Sequence, residues 1–495
     1  MRAHDSGRSK PALLAIQIEE MGAIRDDLLR QVAGVDASIA QARFEYAQAI
    51  NRVALVASLP NEVLSFIFQA VFYSSLGESE QLPAEILLSQ VTRHWRDVAL
   101  STPQLWTRIH FFSRESGKYQ MSEAYLSRSG ALPIDMRITF RYGTNHSLDI
   151  ASATKHVGRW SRLQFNCHIA NDLSKFLALV KTSTAPCLRR MDMSIGPYEP
   201  YTQPQTSKIF VGGTPSLTHV HVRGIILRYC LPSLTTVTHL RLHEPRTAGM
   251  TGTTLTELAS ALNCLPSLTH LVLTGSYINN VMPETSIQLL SLRFLKAQIW
   301  GDLEVYPNVL HMISAPLLQH MLLESIIREE IDIFVDLLDP AAESPKFPSL
   351  QSLTFLPPRE SSDFEMLTWT KVMRAFPTSR HFTLSYDYWD DLFAALRPSV
   401  DQPLSSLAMP WCNLHTLTLI GRKHSLNKPS ILYDMVLARI ASGYPIRKIQ
   451  VSKGILSALG DTLEGLRAIV EVEETTRFQD ITAATFAVDL SDDED

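Results

Sequence analysis

Leu217-Thr218-His219-Val220-His221-Val222 is the stretch that decides the fold, because it returns along the chain. It reappears as Leu268-Thr269-His270-Leu271-Val272-Leu273, Leu350-Gln351-Ser352-Leu353-Thr354-Phe355 and Leu414-His415-Thr416-Leu417-Thr418-Leu419. After its leading leucine each copy alternates apolar and polar residues, the pattern of a strand with one buried face. Fainter copies lie at 188–193, 237–242, 292–297, 318–323 and 446–451. The central apolar residues fall at 163, 191, 220, 240, 271, 295, 321, 353, 382, 417 and 449, and two earlier strands centre on Ile109 and Met136. Between strands, segments such as 254–262 and 326–338 carry helical spacing. One strand and one return segment per copy predict an α/β solenoid, a curved array with a parallel sheet on its concave face.

The L-x-x-L-x-L wording resembles that of leucine-rich repeats, and most steps sit near the upper end of that family's range or just past it. The uneven steps predict a distorted horseshoe.

Upstream, residues 12–57 read as one long helix. Steps of three and four from Ile18 pass through Met21, Arg25, Leu28, Val32, Val35, Ile39, Ala42, Tyr46, Ala49, Val53 and Val56, a seam of coiled-coil period that only Arg25 breaks. Gly22 and Gly34 weaken it. Three readings stay open: a dimerising coiled coil, a helix folded back on its own chain, and partial disorder.

Leu59-Pro60-Asn61-Glu62-Val63-Leu64 then opens a second unit. Proline is tolerated in a first helical turn, and Glu62 favours the positive end of the helix dipole. Val63, Leu64, Ile67, Phe68 and Val71 come next at helical spacing; a Ser/Gly/Glu-rich linker covers 74–81; a further helix carries Ile86, Leu87, Val91, Trp95, Val98 and Ala99. The order Leu59-Pro60-x-Glu62, Val91-Thr92-Arg93-His94-Trp95 and Pro103-Gln104-Leu105-Trp106 resembles the F-box, with Thr92 where that family usually has Cys and a longer interval between Phe68 and Val91 than in compact members. The resemblance implies a three-helix module that docks on the Skp-type adaptor of a cullin–RING ubiquitin ligase. It assigns adaptor contact to Leu59, Pro60, Glu62, Leu64, Ile67 and Val91. Trp95 and Trp106 are expected to hold the module's own core and its junction with the repeats. A helix, an F-box and divergent leucine-rich repeats in that order resemble fungal-type F-box proteins.

If positions 4 and 6 of each repeat are buried, positions 3 and 5 point to the open face. Position 3 reads Arg162, Arg190, His219, His239, His270, Phe294, His320, Ser352, His381, Thr416 and Lys448; position 5 adds His221, Arg241 and Lys296 against the single acid Asp192. Arg190, His219, His221, His239, Arg241, His270, Lys296, His320 and His381 are therefore the candidate partner-binding residues. Such a column suits an acidic or phosphorylated segment and predicts affinity that rises as pH falls through about 6.5. The competing reading is that duplication copied a favoured repeat wording.

The rest bounds the chemistry. Of 495 residues, 45 are Lys or Arg and 50 are Asp or Glu, a net charge of −5 that gives no support to nucleic-acid binding. Five scattered cysteines argue for a reducing compartment. Arg2, Arg8 and Lys10 precede an apolar run that breaks at Gln17, Glu19 and Glu20, unlike a signal peptide, and no run is long enough to span a bilayer. A cytoplasmic or nuclear address is expected. No G-x-S-x-G, Walker A or H-E-x-x-H pattern is present, so neither catalysis, a cofactor nor a metal is expected. The expected layout is a tail and helix over 1–57, an F-box-like module over 58–107, the array over 108–455, and a cap with an acidic tail over 456–495. Together these predict a substrate-recognition adaptor of an SCF-type ligase. The alternative is a ligase-independent interaction scaffold, dimeric through its first helix.

Overall fold

The structure is a computed structural model that describes residues 10–53, 55–74, 83–112, 116–140, 149–196, 209–224, 235–244, 253–277, 285–338, 345–358, 364–398, 411–421 and 429–475. The linker at 75–81 and the acidic tail 491–495 lie outside the described residues. The chain divides into two units, residues 1–105 and 106–495.

The first unit is helical. Helix α1 (Lys10–Val53) ends earlier than the seam predicts and gives way to a 3-10 turn, Leu55–Ser58. No helix could run on through Pro60, which has no N–H to extend an i to i−4 ladder. Helices α2 (Asn61–Ser74), α3 (Ala84–Val91) and α4 (Arg93–Leu100) come next. Pro60 stands just before α2 and its carbonyl accepts from the Leu64 N–H at 3.0 Å. Thr92, the residue that departs from the family's cysteine, caps α4 by accepting from the Trp95 N–H at 3.0 Å. The α2 side chains Leu64, Phe68 and Phe72 pack inward, with Phe68 against Trp95 at 4.9 Å between centroids.

The second unit is built on one fourteen-stranded sheet in which every pairing is parallel. In chain order the strands are β1 (Arg108–Phe112), β2 (Ile134–Thr139), β3 (Trp160–Cys167), β4 (Arg190–Ile195), β5 (His219–Arg223), β6 (His239–Glu244) and β7 (His270–Ser276). Then come β8 (Ile287–Gln288), β9 (Phe294–Trp300), β10 (Ile313–Ser314), β11 (His320–Glu324), β12 (Ser352–Leu356), β13 (His381–Ser385), β14 (Thr416–Ile420), β15 (Lys448–Ser452) and β16 (Glu471–Thr475). Strands β8 and β10 pair with each other in a separate small sheet. The register joins Ile109, Met136 and Leu163 and continues through the predicted central residues, Met191, Val220, Leu240, Leu271 and so on to Ile449. It then takes one more step, to Val472. The array therefore extends to Thr475, past the predicted limit at 455.

Sequence wording makes the strands, and burial makes the array. The leading leucines Leu188, Leu217, Leu268, Leu292, Leu318, Leu350 and Leu414 are all buried, as are the inward residues at positions 4 and 6. From β5 to β15 each strand of the large sheet enters its ladder by donating two successive N–H groups to one carbonyl of the preceding repeat, as Thr218 and His219 do to Arg189. The return segment beginning at Thr254 is a helix (Leu255–Leu262) closed by a capping box, with Leu255, Leu258, Ala259 and Leu262 buried. Gly275 on β7 (φ 119°) lies against Glu244 of β6 so closely that a Cβ would stand 1.7 Å from the Glu244 carbonyl oxygen. Only glycine suits that approach.

Candidate functional site

Two surfaces carry the predicted residues, one in each unit. In the helical unit, Pro60 and Glu62 are exposed and Leu59 is partly so, while Ile67 and Val91 are 39% and 52% exposed. Leu64 is different. At 0% exposure it belongs wholly to the module's interior, which corrects its assignment as an adaptor contact. Periodicity could not separate the two cases, because α2 is apolar on two faces. Leu64, Phe68 and Phe72 face in, whereas Val63 (42%), Phe66 (73%), Ile67 and Val71 (39%) form a second stripe open to solvent. Phe66, Val63 and Leu87 were not assigned to adaptor contact from the sequence, yet they are exposed apolar residues as Ile67 and Val91 are. A small module that leaves this much apolar area uncovered has the composition of a docking surface.

In the array, the register places the predicted position-3 residues side by side on one face. Arg190, His219, His239, His270, Phe294 and His320 are successive ladder partners. His219, His239, His270, Phe294 and His320 form a continuous stack of rings, with centroid separations of 4.3, 4.1, 4.3 and 4.5 Å and interplanar angles of 10°, 12°, 10° and 3°. Neighbouring strands lie about 4.8 Å apart, so identical positions on them bring flat rings to stacking distance with little adjustment. His381 is outside the stack, separated from His320 by Ser352.

The stack changes the electrostatics that the sequence suggests. Burial and the neighbouring His270 and His219 lower the pKa of His239 to about 3, and burial with His219, His320 and Arg293 lowers that of His270 to about 4. His320 and His381 are lowered as well, first by burial and then by His381 and His415 respectively. His239 and His270 are therefore neutral at pH 7 and stay neutral through 6.5. The expected rise in affinity as pH falls through about 6.5 is thereby corrected for these two. Half-buried imidazoles at stacking distance cannot all carry charge, because each proton raises the cost of the next.

Charge gathers instead around Asp192 at position 5. The Asp192 carboxylate gathers Arg190 Nε at 3.2 Å, Arg162 Nε at 3.5 Å and His221 Nδ1 at 3.6 Å. Burial pushes the Asp192 pKa up, but the His221 hydrogen bond and the two guanidinium charges outweigh it and hold it below the usual carboxylate range. Arg241 is the ladder partner of His221 and Val272, and Lys296 pairs with Glu324 at 2.9 Å. Thr218, Thr238 and Thr269 were not singled out, although the Leu-Thr-His and Val-Thr-His wordings carry them. Each hydroxyl lies 2.8–2.9 Å from Nδ1 of the following histidine.

Among the described residues no group of three or more His, Cys, Asp or Glu is placed to hold a metal ion, and no helix is long and apolar enough to cross a membrane. Against known proteins, no curated protein matches the chain. A family model described as F-box-like matches residues 56–112, which include α2, α3, α4 and the exposed stripe. The chain is thus a protein with an F-box-like domain, followed by a curved α/β repeat array.

Proposed function

We propose that this protein is a substrate-recognition adaptor of an SCF-type ubiquitin ligase, working in the cytoplasm or nucleus. The F-box-like domain binds the Skp-type adaptor and the open face of the array holds a protein target. The protein performs no chemistry itself. It raises the effective concentration of the target at the ligase-bound ubiquitin. The observation that carries the reading is the second, solvent-facing apolar stripe on α2, which coincides with the matched family domain. Leu59, Pro60, Glu62, Ile67 and Val91 remain the proposed contacts, joined by Phe66.

A pulldown of purified Skp-type adaptor by the full chain tests this. The intact chain is expected to bind, and Leu59→Ala/Pro60→Ala and Phe66→Asp are each expected to weaken binding at least about tenfold, as removal of a central apolar anchor does. Absence of binding by the intact chain would withdraw the ligase.

A second reading, a ligase-independent scaffold dimeric through α1, is favoured by one observation. The seam on α1 is open to solvent at Ile18 (72%), Met21 (62%), Leu28 (55%), Val32 (56%), Val35 (58%), Ile39 (44%) and Tyr46 (70%). A seam of period 3.5 matches another helix of the same period, and a second copy supplies one. Sedimentation of the full chain should give the mass of two chains, and Leu28→Asp/Val35→Asp the mass of one. A single-chain mass for the intact protein would remove the dimer.

A further inference from the structure

We propose that α1 pairs with α1 of a second copy in antiparallel orientation, with Ile18 of each chain against Ala49 of the other. The inference rests on the dimer reading and fixes what that reading leaves open, which way the two helices run.

The sizes of the seam residues decide between the two orientations. The seam consists of two interleaved sets: Ile18, Arg25, Val32, Ile39 and Tyr46, and, three residues on from each, Met21, Leu28, Val35, Ala42 and Ala49. All ten are exposed on α1. A lone helix gains little stability until an apolar face is packed, so the seam needs an occupant. A parallel pair brings each seam residue against its own copy, whereas an antiparallel pair brings one set against the other. β-branched residues in the first set suit a parallel pair when leucine fills the second. Here the second set shrinks to alanine toward its C-terminal end. In a parallel pair Ala42 would meet Ala42 and Ala49 would meet Ala49, each leaving a gap, while the tyrosines at 46 would hold the backbones apart between them. Arg25 would meet Arg25, with like charges on either side of the axis.

With the second helix reversed, the sizes match. Ile18 lies against Ala49, Met21 against Tyr46, Arg25 against Ala42, Leu28 against Ile39 and Val32 against Val35, and the two-fold axis repeats each layer. Both alanines now face a long side chain. Arg25 has room for its stem beside Ala42 and carries its guanidinium out to water, where it keeps its exposed pair with Asp26 at 2.9 Å. A slip of one heptad in one sense would set Arg25 against Val35 and Ala49 against Pro11; in the other sense it would leave a further heptad of each helix unpaired. The matched register lays residues 14–53 of the two helices together, nearly the whole of Lys10–Val53, a contact about 60 Å long. The C-terminal ends of the two helices, from which the F-box-like domains lead off, then lie at opposite ends of the pair. A dimer of this kind carries its two F-box-like domains apart.

The test is disulfide trapping in the full chain, with the exposed Cys264 changed to Ser throughout. Two variants, Ile18→Cys and Ala49→Cys, are oxidised separately and as an equimolar mixture, then separated on non-reducing gels beside the Cys264→Ser parent. A disulfide needs Cα atoms within about 7 Å. In the antiparallel pair residue 18 stands about 45 Å along the axis from its own copy and directly beside residue 49. The mixture should therefore link about half of its chains, as random pairing across a two-fold interface gives, and neither variant alone should link beyond the parent. Linkage in either variant alone would mean a parallel pair, overturning this inference and leaving the dimer. Two-chain mass by sedimentation with no linkage in the mixture would also overturn it and leave the dimer. A single-chain mass for the intact protein would remove the dimer and this inference together.

Discussion

Arg439→Ala is expected to cost the array about 3–5 kcal/mol, and Arg439→Met about 1–3 kcal/mol. Arg439 is fully buried on the helix Pro429–Ala441. Its Nη2 donates to the Trp411 carbonyl at 2.8 Å and its Nη1 to the Leu396 carbonyl at 3.2 Å. Leu396 is the last residue of the helix Asp390–Leu396, where the unpaired carbonyls and the helix dipole favour a cation. Trp411 holds a left-handed backbone (φ 44°) and donates its ring N–H to the Phe376 carbonyl at 2.8 Å. One guanidinium thus ties a return helix to the end of the preceding one and to the strained turn that leads into β14. Burial lowers the Arg439 pKa to about 10, with Cys412 opposing, and the group still carries its charge at pH 7. Methionine fills most of the volume but donates nothing, and alanine also leaves a cavity, so the two variants separate the hydrogen bonds from the packing. Urea unfolding followed by hydrogen exchange over 411–451 checks this. A methionine variant as stable as the parent would show that the carbonyls do not depend on the guanidinium.

The repeat register was legible because it is written in apolar periodicity, and burial enforces that pattern strand by strand. Where the pattern fails, the register cannot be read. In β16 the residue at the place of the second inward leucine is Glu474, and Glu471 and Glu473 flank Val472, so the last strand looks like a charged cap. Leu64 was misplaced for the opposite reason, since both faces of α2 are apolar and spacing alone cannot choose the inner one. The column of basic and aromatic residues was visible by position, but its chemistry was not. A histidine read singly has a pKa near 6.5; four histidines and a phenylalanine at strand spacing become one stack whose central members stay neutral. The threonines beside the histidines were hidden in the sequence because their hydroxyls donate to carbonyls of the preceding repeat, some twenty to thirty residues away.

That stack and two buried acids make stability depend on pH in opposite senses. The unfolded chain takes up protons on His239 and His270 below about 6.5, whereas the folded chain does so only near 3 and 4. Their contribution is therefore complete above 6.5 and is lost as pH falls toward 4. Solvent screening at a half-open face reduces it to on the order of 1–3 kcal/mol for the pair. Glu244 runs the other way. Burial raises its pKa to about 7, with the Thr253 hydrogen bond opposing and Glu257 adding to the rise, and burial likewise raises that of Glu330 to about 7. The folded state holds these protons more tightly between pH 4.5 and 7, so stability falls as pH climbs through that window. Above it, the ionised Glu244 costs on the order of 2–3 kcal/mol. Glu244→Gln should therefore raise stability at pH 8, with the gain shrinking to nothing by pH 4.5. His239→Phe/His270→Phe should leave stability unchanged at pH 7.5 and make the protein more resistant than the parent at pH 4. Chemical unfolding at pH 8, 6.5 and 4.5, with melting curves at pH 4, reads both effects. A Gln variant whose gain persists at pH 4.5 would place its effect outside ionisation. A Phe pair that loses stability with acid as steeply as the parent would mean that the ladder takes up protons in the folded state as readily as in the unfolded one.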